Sequence, residues 1–194
     1  MNPSPSRWLI LPLCCLAVEA VGCGAGQTPT TVPPPDTQQP TNPLANDMLA
    51  AHNTARANAS PTPQPAMPAL TWSEDAATVA QNWANQCKFA HNPDRGPYGE
   101  NLAAATPPDA ETTTQAVESW VAESANYNYA DNTCASGKVC GHYTQVVWRN
   151  TTQVGCASVT CDTNSPFGSQ YPPQWQLWVC DYSPPGNYAG QKPY

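Results

Sequence analysis

Six cysteines, Cys87, Cys134, Cys140, Cys156, Cys161 and Cys180, lie in the second part of this 194-residue chain and limit its fold more than any other feature. An even set of half-cystines in one short stretch implies three disulfides, and disulfides persist only in an oxidising compartment. Six cysteines can pair in many ways, and spacing alone does not choose among them. A zinc knuckle is disfavoured because no Cys-x2-Cys pair occurs. The other three of the nine cysteines, Cys14, Cys15 and Cys23, stand apart near the N-terminus.

That N-terminus explains how the rest reaches an oxidising space. Residues 1–22 carry one positive charge, Arg7, followed by an apolar run from Trp8 to Val18, too short to span a bilayer and patterned as a signal peptide. The leader ends Ala20-Val21-Gly22-Cys23, which resembles a lipobox, so Cys23 is the expected lipidation site. Ordinary cleavage near Gly24 to Gly26 is the alternative. A lipidated Cys23 would make the membrane a tethering surface only. Residues 23–43 follow as a disordered tether, with six prolines and five threonines between Gly24 and Pro43 and no aromatic residue to seed a core.

What remains, residues 44–194, suffices for one domain with a sizeable core. The chain's net charge of −7 and scattered Lys and Arg argue against nucleic acid as a partner. Any lipid contact must then be apolar or covalent rather than electrostatic.

Helical spacing of Met48, Leu49, His52 and Ala55 predicts a first helix, capped by Asn46 or Asp47 and ending near Ala57 before the proline-rich stretch Ser60 to Pro68. Ser73 caps a second helix whose apolar face runs through Ala76, Val79, Ala80, Trp83, Ala84 and Cys87. A third is expected from about Ala110 to Ala125, with Ala116, Val117, Trp120 and Val121 inward. Gln153 to Cys161 and Trp175 to Tyr182 read as paired strands.

Four side chains from separate segments carry the candidate chemistry. Glu123 lies on the inward edge of the third helix, where a carboxylate needs a cation, a histidine or a wet cleft as partner. His142 stands between Cys140 and the apolar run Val146-Val147-Trp148, and His91 and Glu100 flank the loop 92–99. Two imidazoles and two carboxylates suit either a divalent-cation site or a hydrogen-bonded acid–base cluster. His52, alone on an apolar helix face, reads as structural. Tyr127 and Tyr129 are candidates for the cleft rim or for the core. No Gly-x-Ser-x-Gly elbow occurs.

The run Cys140-Gly141-His142-Tyr143-Thr144-Gln145-Val146-Val147-Trp148-Arg149-Asn150, with the later Val179-Cys180-Asp181-Tyr182-Ser183-Pro184-Pro185-Gly186-Asn187-Tyr188, resembles the two signature motifs of the CAP superfamily, in a pattern similar to its plant pathogenesis-related members. The resemblance implies an α+β fold, an α-β-α sandwich with a short antiparallel sheet between helices. It implies the pairs Cys87 with Cys161, Cys134 with Cys140, and Cys156 with Cys180. It gathers His91, Glu100, Glu123 and His142 into one cleft able to hold zinc or magnesium, with no cofactor required. The resemblance also implies a monomeric extracellular binding module for a small apolar ligand, a sterol or fatty acid. The alternatives are a metal-assisted hydrolase of peptide or cell-envelope substrates, with Glu100 or Glu123 as general base, and a ligand-free structural or defence-like surface protein. The tail from Pro184 to Tyr194 is similar to a segment that plant relatives can release as a signalling peptide. Asp181 stands where the family more often has asparagine, and a packed terminal tail is the other reading.

Overall fold

The computed structural model describes residue 40 and residues 42–194; the expected signal peptide, the expected lipidation site at Cys23 and nearly all of the expected tether lie outside the described residues. From Asn42 onward the chain builds an α+β sandwich. Helices α1 (Pro43–Ala57), α2 (Glu74–Ala84), α3 (Thr113–Ala122) and α4 (Gly141–Val146) enclose strands β1 (Thr71–Trp72), β2 (Gly99–Ala105), β5 (Gln153–Cys161) and β6 (Trp175–Ser183), while β3 (Tyr127–Asn128) and β4 (Thr133–Cys134) form a separate small hairpin.

The main sheet runs β1-β5-β6-β2, with β5–β6 and β6–β2 antiparallel and β1 parallel to β5. Strand β2 is therefore an edge. Period-two alternation gives this sheet two buried faces. Leu102, Leu177, Val179 and Ala157 pack under α2 against Ala80, Trp83 and Ala84. Ala103, Trp178, Cys180 and Tyr182 point the other way, into a larger core with Met48, Val117, Trp120, Tyr143, Val146 and Val147. Gly155 lets α2 settle onto β5, because a Cβ there would collide with the Ser73 carbonyl oxygen and the Ala77 nitrogen.

The disulfides are Cys87–Cys161, Cys134–Cys140 and Cys156–Cys180. The first joins the exit of α2 to the end of β5 across a separation of 74 residues. In the chain-entropy model a loop of that length stabilises by roughly 4–5 kcal/mol.

Several boundaries differ from the sequence-based expectation. Helix α1 begins a turn earlier than Asn46 or Asp47, because the Asn42 side chain accepts from the Leu44 N–H and Pro43 occupies the first turn. Helix α2 stops at Ala84, and Cys87 follows in a left-handed conformation (φ 50°). Helix α3 starts at Thr113 rather than Ala110, since Thr112 and Gln115 form a reciprocal capping box, and it tightens into a 3-10 turn over Glu123–Asn126.

Candidate functional site

Edge strand β2 organises the site. Glu100 points to the α2 side of the sheet and Asn101 to the other, so one cavity of about 200 Å³ wraps the edge and is lined by His91, Glu100, Asn101, Val139, Gly141, His142 and Asn187. His91 arrives on the loop after α2; His142 stands in the first turn of α4.

Both imidazoles are held the same way. His91 Nδ1 lies 2.7 Å from Glu100 Oε1, and His142 Nδ1 lies 2.6 Å from Glu123 Oε1. An ionised carboxylate only accepts, so each Nδ1 carries the proton and Nε2 is the lone-pair nitrogen. Glu123 is the C-cap residue of α3, where it reaches α4: its Oε2 accepts from the backbone N–H of His142 at 3.0 Å and of Tyr143 at 3.2 Å. A carboxylate at a helix N-terminus satisfies N–H groups that have no partner within the helix. Glu123 thus sits behind His142 and does not line the cavity. Glu100 Oε1 also accepts from the Asn92 N–H at 2.9 Å, while its Oε2 is buried without a hydrogen-bond partner.

A second network fixes the backbone of His142. His52 is fully buried; its Nδ1 donates to the Met48 carbonyl at 2.7 Å and its Nε2 accepts from the Tyr182 hydroxyl at 2.8 Å. The Tyr182 oxygen accepts from Asn101 Nδ2 at 3.0 Å, which also donates to the His142 carbonyl at 3.1 Å. Desolvation, chiefly, lowers the His52 pKa to about 4, so the ring is neutral and structural. Trp120 packs against the His142 ring with centroids 6.4 Å apart.

Beside Glu100, directly across β2–β6, lies Asp181, fully buried with neither carboxyl oxygen hydrogen-bonded. Desolvation first, then the Glu100 charge, raises its pKa to about 8 against a smaller opposing pull from Arg95. Sequence reasoning flagged Asp181 for its residue type only; its burial follows from the two-sided sheet.

The residues missed from sequence are Asn101, Gly141 and Asn187, which line the cavity, and Arg56. Arg56 is buried and donates to the carbonyls of Pro68, Val146, Trp148 and Thr151. Its place four residues after His52 on the same helix face was the available signal. Tyr127 lines a neighbouring cavity, and Tyr129 stacks on the terminal Tyr194 with centroids 4.6 Å apart. The tail is packed: the Arg149 N–H donates to the Pro193 carbonyl at 2.7 Å.

Whether the four residues fit a divalent cation turns on their free donor atoms. Each ring offers Nε2 with its Nδ1 braced by a carboxylate, the arrangement common behind metal-bound histidines. The Glu123 oxygens are both engaged. Among the described residues, no three His, Cys, Asp or Glu side chains form a group able to hold a metal.

A larger groove of about 530 Å³ opens between α1 and α3, floored by Ala50, Ala51, Ala55, Val117, Val121 and Ala122. Asp47, Thr54 and Glu118 are among its polar rim. Small alanines of α1 and valines of α3 line it together.

Comparison with known proteins agrees with this geometry. Residues 49–182 match the family model described as CAP, the cysteine-rich secretory protein family. Pathogenesis-related protein 1A of Nicotiana tabacum is 47% identical over 152 residues, covering 76% of this chain and 79% of the relative. Pathogenesis-related protein 1 of Arabidopsis thaliana is 45% identical over 152 residues, covering 76% and 81%. Among solved structures, Schistosoma mansoni venom allergen-like protein 4 superposes with a TM-score of 0.57 at 26% identity, covering 76% of this chain and 90% of that one.

Proposed function

We infer that this chain, which belongs to the CAP family of cysteine-rich secretory proteins, is an extracellular binding protein that takes a small apolar ligand, a sterol or fatty acid, between α1 and α3. The observation that carries the reading is the α1–α3 groove. At about 530 Å³, with an aliphatic floor and a polar rim, it falls in the size range of small-molecule sites, about 300–1,000 Å³. Transfer of an acyl chain or sterol ring from water to that floor is favourable at about 25 cal/mol per Å² of apolar surface buried. Three disulfides fit an extracellular protein, and lipidation at Cys23 would hold it at the cell surface.

The test is saturable uptake of fluorescent fatty acid and of labelled sterol by the purified protein. Ala51→Trp, which fills the groove, should abolish uptake, whereas His91→Ala and His142→Ala should retain it. No saturable uptake of either probe would overturn the reading.

A second reading concerns the His91/His142 cleft, and one observation favours it: both Nδ1 atoms are committed to carboxylates, leaving the two Nε2 atoms as ligands for a zinc ion, whereas magnesium would need oxygen donors. Isothermal titration of metal-stripped protein with zinc tests it. One-to-one binding that His91→Ala and His142→Ala each abolish supports it; binding unaffected by either refutes it. The hydrolase reading has less to rest on, because Glu123 already accepts three hydrogen bonds and Glu100 Oε2 is buried.

A further inference from the structure

The His91/His142 cleft does not end at His142. Val139, Gly141 and Asn187 line both it and a second cavity of about 480 Å³ walled by Tyr127, Trp148 and Tyr188, so the two share one rim and form a continuous groove. This groove shares no lining residue with the one between α1 and α3 and is independent of the apolar-ligand reading.

Its chemistry is mixed in a specific way. Tyr188 is 51% exposed and leans on the buried Trp148 with ring centroids 6.1 Å apart, so a flat aromatic face is presented to solvent on a fixed support. The support is rigid because Asn187 is clamped: its Oδ1 accepts from Thr144 Oγ1 at 2.7 Å and its Nδ2 donates to the Gly141 carbonyl at 2.8 Å. The opposite rim, Lys138 and Val139, is pinned by the Cys134–Cys140 bridge. No carboxylate lines the larger cavity; Lys138 is its one charged residue, and Gln191 adds an amide. The ion pairs among the described residues are both His–Glu pairs, so Lys138 is not neutralised by one.

An exposed aromatic face beside hydroxyl, amide and ammonium groups matches a pyranose ring, which offers an apolar C–H face and a perimeter of hydroxyls. An acyl chain would leave those polar groups unpaired, and a polyanion is disfavoured by the net charge of −7. We propose that the groove from Tyr188 to His142 is an oligosaccharide-binding site, with Tyr188 as the stacking platform and Lys138 and Gln191 as hydrogen-bond donors to sugar hydroxyls. A β-1,4-linked chain suits it because its extended shape can run along the groove while one flat ring stacks on Tyr188.

The experiment is isothermal titration of the purified full-length protein with cellotetraose and with the N-acetylglucosamine tetramer, and with an unstructured polar peptide of similar length as control. Saturable binding of either sugar is expected. Tyr188→Ala should weaken it by about tenfold or more, since that variant removes the stacking face, while Tyr188→Phe should bind within about threefold of the parent. Near-ultraviolet circular dichroism establishes that each variant is folded. The proposal is overturned by absence of saturable binding to both sugars, by equal affinity in Tyr188→Ala, or by saturable binding of the peptide alone.

Discussion

Replacing Asp181 by asparagine removes a group that this fold keeps un-ionised, and the sign of the effect follows from its titration. In the folded protein its pKa rises from 3.8 to about 8, mainly because burial penalises the charge and secondarily because Glu100 lies across the strand pair. The unfolded chain therefore releases this proton near pH 4, whereas the native state holds it up to about pH 8. Over that window the native state binds more protons, so stability declines as pH rises and levels off above the folded pKa. At about 1.4 kcal/mol per pH unit the accumulated loss is of order 6 kcal/mol at most, and of order 4 at neutral pH. That is a large share of a domain stability of about 5–15 kcal/mol. Asparagine has nearly the same shape and no such titration. Urea unfolding of both proteins at pH 5 and pH 8.5 isolates the contribution of Asp181 and its coupling to Glu100, because the groups that do not interact with Asp181 cancel in the comparison. Asp181→Asn should gain several kcal/mol relative to the parent at the higher pH. Two stability curves parallel to within about 1 kcal/mol would refute the argument.

Other substitutions test separate parts of the structure. Arg56→Met should cost about 3–5 kcal/mol in urea unfolding, because it strands the carbonyls of Pro68, Val146, Trp148 and Thr151; a loss below about 1 kcal/mol would mean that these groups find other partners. Glu123→Ala should destabilise by about 1–3 kcal/mol and broaden the amide resonances of His142 and Tyr143, whose N–H groups lose their acceptor; unchanged amides would contradict the geometry. Joint replacement of Cys87 and Cys161 by serine should cost roughly 4–5 kcal/mol, more than the same change at Cys134 and Cys140, as thermal melts of both variants would show.

The parts of this fold that were legible in the sequence are those whose local signals agree with their tertiary surroundings. Helix α2 has a serine cap, two acids in its first turn and an apolar stripe, and the structure uses all three. Strands β5 and β6 are rich in valine, cysteine and aromatic residues and pair along their whole length. Strand β2 carried no such signal: Gly99-Glu100-Asn101-Leu102 and three alanines have weak strand preference, and the segment is extended because β6 offers a complete ladder of partners. Helix α4 escaped notice because six residues are too few for a periodic pattern; the preceding disulfide and the Glu123 carboxylate hold its start.

The site was legible as residue types and not as roles. His91, Glu100, Glu123 and His142 stood out individually, yet nothing local reveals that each carboxylate binds an Nδ1 or that Glu123 sits behind the cavity instead of in it. Asn101 and Asn187 gave no signal, since an asparagine in a loop or an alanine-rich segment is ordinary until its partners are seen. The groove between α1 and α3 was equally hidden. It depends on which alanines face which valines once two helices far apart in sequence are packed together.

The central claim, an apolar ligand between α1 and α3, is tested most directly by binding spin-labelled stearate to methyl-labelled protein and recording paramagnetic broadening by NMR. The account predicts saturable broadening that is strongest at the Ala51, Val117 and Val121 methyls and weaker at the His142 ring signals. Broadening centred on His142 or Tyr188, or none that saturates, would contradict it.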